Sequence, residues 1–131
     1  MQFDADLPFA HAITDYNASG IAVQGRWHTH SMLVGSDGLL REWPLQHPGG
    51  PFAEVDLAAV LEQAVHQPAH PYELLIVGTG QRQIFLPPTL LRPFVQHRLP
   101  LECMSTPAAC RTYNIVASEG RRVLAALQIS A

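Results

Sequence analysis

Residues 101–127 read LECMSTPAACRTYNIVASEGRRVLAAL, and they constrain the structure more strongly than any other part of the chain. A short apolar run at 101–103 and a longer one at 122–129 each predict a strand. Between them, Thr106 followed by a proline predicts the start of a helix, with Thr106 as the N-cap. Gly120 predicts the end of that helix. We therefore expect a strand, a helix and a return strand.

Polar side chains on this helix exceed what packing against a core requires, since Arg111, Tyr113 and Asn114 lie along it and Arg121 follows its end. Asparagine is a weak helix former, so Asn114 is expected to make a specific hydrogen bond. Cys103 and Cys110 are expected to be buried thiols. Alternatively, the place of Cys110 in the first turn of the helix would suit a lowered pKa and some reactivity.

The rest of the chain supplies strands and helices in an order typical of an α/β fold. Asp56 is predicted to cap one helix and Pro68 to stop it. Pro93 is predicted either to kink another helix or to reset its start. We expect one α/β domain over residues 1–131, with a β-rich first part, about three helices and parallel connections in the second half. The further predicted elements are strands at 11–17, 21–23 and 73–77, a hairpin at 31–43 turning at Asp37-Gly38, a loop at 44–52, and helices at 56–67 and 87–98.

The composition is that of a folded domain, with 47% hydrophobic and only 15% charged residues in a chain of 131. No apolar run approaches the roughly 20 residues that a membrane-spanning helix needs. The first residues carry two aspartates and no basic residue, unlike an export signal. Two cysteines are too few for a disulfide scaffold. These features predict a cytoplasmic protein without a membrane span.

The net charge of −3 argues against a general nucleic-acid binder. Residues 1–80 carry two arginines against nine acids, a net of −7, whereas residues 81–131 carry six arginines against two acids, a net of +4. Either the two halves interleave and neutralise each other, or the second half builds a basic face. Such a face would attract an anion or an acidic partner.

Familiar catalytic motifs are missing from the sequence. The chain has no lysine, which excludes Schiff-base chemistry and a P-loop lysine, and it has no G-x-S-x-G or H-E-x-x-H motif. His28 and His30 would point to one face of a strand, a spacing that metal ligands use, but no third ligand accompanies them. We therefore predict no metal and no cofactor, and we favour a protein that is not an enzyme.

The loop formed by Gly78, Thr79 and Gly80 follows a predicted strand, and α/β folds place ligand crevices at such points. A dinucleotide fingerprint would need a glycine at position 83, and that residue is Gln83. The loop is therefore either a tight turn that needs a positive φ or a backbone-amide cradle for an anion.

A second anion candidate is the start of the helix that follows Met104, Ser105 and Thr106, because free amide groups and partial positive charge gather at a helix N-terminus. If the strands at 73–77 and 101–103 lie side by side, both loops emerge at one sheet edge and form a pocket. We predict a ligand-binding crevice there, lined by Gly78, Thr79, Gly80, Met104, Ser105, Thr106, Arg111, Tyr113, Asn114 and Arg121.

Five segments carry a family resemblance: residues 75–80 (LIVGTG), 85–87 (FLP), 102–106 (ECMST), 109–114 (ACRTYN) and 119–123 (EGRRV). In these the chain resembles domain of unknown function 498, also called the Mth-938-like family, and the resemblance covers about residues 10–130. It implies a three-layer α/β fold around a mixed central sheet and no established reaction. Eukaryotic relatives include an assembly factor of mitochondrial respiratory complex I and an adipogenesis-associated cytoplasmic protein, and this chain looks like a short bacterial version.

We therefore expect a cytoplasmic binding protein that assists assembly and has an unknown protein partner. A small anion is the second candidate for a ligand, and we expect a monomer or a small homo-oligomer. The alternative is a small-molecule enzyme, or a module that binds an anion or a nucleotide, using the same crevice.

Overall fold

The computed structural model describes residues 11–66 and 71–129. Within these ranges the chain forms eight strands and three helices. The strands are β1 (Ile13–Asn17), β2 (Gly20–Val23), β3 (Arg26–His28), β4 (Met32–Gly35), β5 (Leu40–Glu42), β6 (Leu74–Gly78), β7 (Leu101–Met104) and β8 (Val123–Leu127). The helices are α1 (Glu54–Val65), α2 (Pro88–Gln96) and α3 (Thr106–Ser118).

The larger sheet is mixed and has the strand order β5-β4-β8-β6-β7. β6 runs parallel to both β7 and β8, whereas β4 is antiparallel to β5 and β8. Every residue of β6 and β8 is buried, as expected for strands that are covered on both faces. The predicted α/β fold with a mixed central sheet and parallel connections in the second half is confirmed.

Three layers result because side chains alternate across the larger sheet. Ile76 and Ala125 point toward α3 and the smaller antiparallel sheet β1-β2-β3. Leu75 and Val77 point toward the opposite face, where α1 and α2 pack. On that face Trp43 stacks on the ring of Phe52, with 5.2 Å between centroids. Each face of the sheet therefore has its own apolar core.

The predicted hairpin at 31–43 is confirmed as β4 and β5. Gly38 has a φ of 107°, a conformation that glycine adopts without steric penalty, and its amide donates to the Gly35 carbonyl at 3.0 Å. The expectation that His28 and His30 share a strand face is wrong, because β3 ends at His28 and His30 lies beyond it.

The helix predicted at 56–67 begins at Glu54, so Asp56 is its third residue rather than its cap. The Asp56 carboxylate nevertheless serves the helix start, because it accepts the amide of Ala53 at 2.7 Å. The helix ends at Val65, and the predicted stop at Pro68 lies outside the described residues. The helix predicted at 87–98 is present as α2, with Pro93 inside it.

The prediction that Thr106 caps α3 is wrong by one residue. Ser105 is the N-cap, and its hydroxyl accepts the amide of Ala108 at 3.4 Å. Gly120 ends the helix as predicted, with a φ of 85° and its amide bonded to the Ala117 carbonyl at 3.0 Å. Because Ser105 is the cap, the Thr106 hydroxyl is available for a different contact.

Candidate functional site

The loops that follow β6 and β7 meet at one edge of the sheet, as predicted from parallel neighbouring strands. The Thr79 amide donates to the Met104 carbonyl at 2.8 Å, and the Thr106 amide donates to the Gly80 carbonyl at 2.7 Å. Gly80 has a φ of 103°, which suits glycine. The two loops are thus joined directly, backbone to backbone.

Gly78 allows α3 to approach β6 closely. A Cβ atom at this position would lie 2.9 Å from Thr106 Oγ1, 3.0 Å from Thr106 Cα and 3.2 Å from Ala109 Cβ. All three distances are shorter than ordinary contacts of a Cβ atom, so a larger residue would push the helix away from the strand. Glycine at the end of β6 therefore sets the position of the N-terminus of α3.

The Thr106 side chain links three segments. Its Oγ1 accepts the Gly80 amide at 2.9 Å and donates to the Gln128 carbonyl at 2.6 Å. The buried Gln128 side chain continues the network: Nε2 donates to the Thr79 carbonyl at 3.2 Å, and Oε1 accepts the Gly49 amide at 3.0 Å. We did not predict a role for Gln128, although a glutamine after the apolar run of β8 was a signal.

Four backbone amides at this edge are bonded within the chain. The amides of Thr79, Gly80, Thr106 and Ala108 all have protein acceptors, and the residue at position 107 is a proline without an amide hydrogen. An anion cradle requires amide groups that point at the ligand without another acceptor. An anion bound to these four amides would have to displace their internal hydrogen bonds.

Three of the predicted site residues contact β1 or the residues just before it instead. The Asn114 side chain donates to the Ile13 carbonyl at 2.7 Å and accepts the Ile13 amide at 3.0 Å. The Tyr113 hydroxyl donates to the His11 carbonyl, and Arg111 donates to the Tyr16 hydroxyl, both at 2.6 Å. The expected specific hydrogen bond of Asn114 is confirmed, and it fastens β1 to α3.

Arg121 lies at the other end of β6 from Gly78. Its Nε is 3.8 Å from Glu73 Oε2, and Glu73 comes just before β6 begins. A strand of five residues spans roughly 16 Å. Of the ten predicted site residues, the structure brings together Gly78, Thr79, Gly80, Met104, Ser105 and Thr106, and it places Arg111, Tyr113, Asn114 and Arg121 in other contacts.

The expected burial of Cys110 is confirmed, whereas Cys103 is only partly buried, and the alternative of a lowered pKa for Cys110 is wrong. Burial raises the pKa of this thiol to about 12, and the neighbouring Arg111 guanidinium offsets that increase only in part. Burial also raises the pKa of the half-buried Cys103 and of the Tyr113 hydroxyl. Both thiols are therefore protonated at neutral pH, which is the less nucleophilic form.

The loop between β6 and α2 presents apolar side chains to solvent. Ile84 is 42% exposed and Phe85 is 82% exposed. Thr79 holds the base of this loop, because its Oγ1 donates to the Arg82 carbonyl at 2.6 Å and accepts the Ile84 amide at 3.1 Å. Gln83 Nε2 also donates to the carbonyl of Cys103, at 3.3 Å. Phe85 is thus displayed on an anchored loop.

In the described parts of the chain, no set of three or more His, Cys, Asp or Glu side chains is arranged to hold a metal ion. Within the same ranges, no helix has the length and apolar character that crossing a bilayer requires.

A family model described as a protein of unknown function (DUF498/DUF598) matches residues 13–128. The chain belongs to this family. Among named relatives, this DUF498 chain is 31% identical over 127 residues to the cattle (Bos taurus) NADH dehydrogenase (ubiquinone) 1 alpha subcomplex assembly factor 3. That match covers 93% of the chain but only 62% of the relative, so the chain spans about three fifths of the relative's length.

Solved structures of bacterial proteins resemble this DUF498 chain over almost its full length. A crystal structure of a Bordetella parapertussis protein is 36% identical with a TM-score of 0.77, and the match covers 94% of this chain and 98% of that one. A solution structure from Bordetella pertussis, described as an Mth938-like domain, is 30% identical with a TM-score of 0.79 and covers 100% and 94%. The predicted family and its Mth-938-like fold are confirmed.

Proposed function

We propose that this DUF498 chain acts by binding a protein partner and assists the assembly of a larger complex. The proposed contact surface is the loop at 81–87 with the exposed side of α2. The observation that carries this proposal is Phe85, which is 82% exposed on a loop anchored through Thr79. Exposed aromatic side chains are typical anchors of protein interfaces, and an already ordered loop loses little entropy on binding.

The charge of the proposed contact surface indicates what kind of partner it binds. Residues 81–98 contain three arginines and no acidic residue. Val95, on α2, is a further apolar side chain that is 73% exposed. We infer that the partner presents an apolar patch bordered by aspartate or glutamate side chains, because complementary charge speeds encounter and selects the partner. The naming of relatives as assembly factors supports the same class of function.

The test is affinity capture of the native chain from its source cells, with quantitative mass spectrometry of the bound proteins. Phe85→Ser should reduce recovery of the partner by about tenfold or more, as loss of an interface anchor does. Ile115→Ser is the matched control, because Ile115 is 60% exposed on α3, which packs on the opposite face of the larger sheet from α2. Equal recovery by the native chain and by Phe85→Ser contradicts the proposal.

Anion or nucleotide binding at the crevice of Gly78 to Gly80 remains a second prediction. It is favoured by the meeting of two loops at one sheet edge and disfavoured by the internal hydrogen bonds of their amides. Thermal unfolding with phosphate and nucleotides distinguishes the two functions, because a ligand at a hundred times its dissociation constant adds about 2.7 kcal/mol of stability. Cytoplasmic location and a monomeric or small homo-oligomeric state also remain predictions.

A further inference from the structure

A cavity of about 290 Å³ lies between the smaller sheet and β5, away from the proposed contact surface. Its described lining residues are His11, Val23, Gln24, Arg26, His28 and Leu40. Val23 is buried and Leu40 is partly buried, which provides an apolar floor. Two histidines and an arginine also line the cavity, and none of the described lining residues is acidic.

Arg26 and His28 lie on the inner face of β3. Their partners across the strand pair are Val23 and Ile21, which belong to the apolar core. Residues that are directly opposed in an antiparallel pair have side chains on the same face. A cationic side chain at such a position on an edge strand discourages pairing with other strands. Protection of the edge strand explains the presence of Arg26, but it does not explain His28 or the cavity.

Two of the lining side chains, His28 and Arg26, carry nitrogen atoms without a protein partner in the described part of the chain. His28 Nε2 is buried and has no hydrogen-bond partner among the described residues. The Arg26 guanidinium makes no ion pair or hydrogen bond with any residue in those ranges. A buried polar atom without a partner is destabilising, and its presence in a native fold calls for an explanation.

His11 is oriented by the main chain. Its Nδ1 lies 3.0 Å from the carbonyl oxygen of Leu39. A carbonyl only accepts, so Nδ1 carries the proton, and Nε2 is the ring nitrogen left for another partner. The cavity therefore combines a fixed imidazole, a second imidazole and a guanidinium above an apolar floor.

We propose that this cavity, named here the Arg26 pocket, binds the phosphoryl group of a small phosphomonoester. A guanidinium binds phosphate oxygens through paired, charge-assisted hydrogen bonds. With a proton on Nε2 and a small rotation of its ring toward the cavity, His28 donates a hydrogen bond to an oxygen of the same group. The floor formed by Val23 and Leu40 receives the organic part of the ligand, as apolar surfaces do in small-molecule sites.

The experiment is an NMR titration of the native chain with inorganic phosphate, phenyl phosphate and benzoate, following the amides of Val23 and His28. Phenyl phosphate and phosphate should both saturate, and phenyl phosphate should bind more tightly because its ring covers the apolar floor. If phenyl phosphate binds no more tightly than inorganic phosphate, the site binds free phosphate. That result overturns the proposal of a phosphomonoester ligand. If benzoate binds as tightly as phenyl phosphate, the pocket does not select a phosphoryl group, and the proposal is overturned.

Arg26→Gln should weaken phenyl phosphate by about tenfold or more, the effect expected for loss of a charge-assisted hydrogen bond. Arg92→Gln removes the same charge from α2, outside the pocket, and should leave the affinity within about twofold. Arg26 is exposed, so its variant is expected to fold, which the dispersion of the same spectra verifies. Equal affinity in the native chain and Arg26→Gln overturns the proposal, as does the absence of saturable shifts.

Discussion

The Thr106 hydroxyl donates to the backbone carbonyl of Gln128 at 2.6 Å while it accepts the amide of Gly80. This contact joins the first residue of α3 to the end of β8 and to the loop after β6. The Gln128 side chain then reaches the Thr79 carbonyl and the Gly49 amide. The edge at which a ligand crevice was predicted is therefore held together by buried hydrogen bonds.

Thr106→Val should lower the free energy of unfolding by about 2–4 kcal/mol, because it leaves the buried Gly80 amide and Gln128 carbonyl without partners. Thr106→Ser is the control, since it retains the hydroxyl and loses only a methyl group, with an expected loss near 1 kcal/mol. Urea unfolding of the three proteins measures the difference. Equal losses for Val and Ser would show that the hydroxyl contributes little.

Asn114→Ala should loosen β1, because both side-chain hydrogen bonds to Ile13 are lost in a buried environment. We expect a loss of about 2–4 kcal/mol and faster hydrogen exchange at the amide of Ile13 than at amides of β6. Thr112→Ala, on the same helix, should change stability by no more than about 0.5 kcal/mol. Unchanged protection of Ile13 would contradict the proposed anchoring role.

Arg121→Ala should change stability by less than about 0.5 kcal/mol, because its contact with Glu73 is a half-exposed pair at 3.8 Å. The variant should also recover the protein partner as well as the native chain does, because Arg121 lies at the far end of β6. Chemical unfolding and the affinity capture described above provide the two measurements. Loss of the partner in Arg121→Ala would extend the contact surface to that end of the sheet.

Cys110 should make stability fall at alkaline pH. Burial raises the pKa of its thiol from 9.0 to about 12 in the folded chain, so between these values the unfolded chain loses this proton and the folded chain keeps it. The free energy of unfolding then decreases with rising pH, by up to about 1.4 kcal/mol per pH unit from this group. Below pH 9 the thiol is protonated in both states and contributes no dependence.

Urea unfolding under reducing conditions at pH 8 and pH 10.5 measures this effect. Cys110→Ala should show a smaller decrease over the same interval, because the alanine side chain does not titrate. Cys103 is present in both proteins and serves as an internal control for the second thiol. Identical decreases in the two proteins would show that Cys110 is not the source.

Local signals predicted the elements well wherever backbone chemistry decides them. Asp37-Gly38 marked the hairpin, and Gly120 marked the end of α3, because glycine adopts positive φ without steric penalty. The cap of α3 was misplaced by one residue because serine and threonine are both good caps. Ser105 is the N-cap because the Thr106 hydroxyl is already bonded to Gln128 and Gly80.

The candidate site was predicted only in part, because neighbouring positions in the sequence do not show in which direction each side chain points in the fold. Parallel pairing of β6 with β7 places loop 78–80 beside Thr106, and the strand pattern anticipated this. Asn114 and Arg111 lie on the same helix, yet they turn toward β1. Asn114 and its partner Ile13 are 101 positions apart in the chain, and no local sequence pattern predicts such a contact.

By itself, the sequence determined the order of strands and helices, the family and the absence of lysine chemistry, because these depend on residue type and local spacing. Only the tertiary structure decided that four of the crevice amides are bonded internally, that Phe85 is exposed, and that Arg26 and His28 share a cavity with His11. The physical reason is that hydrogen-bond partners and burial are set by segments distant in the chain, which meet only when the sheets and helices pack.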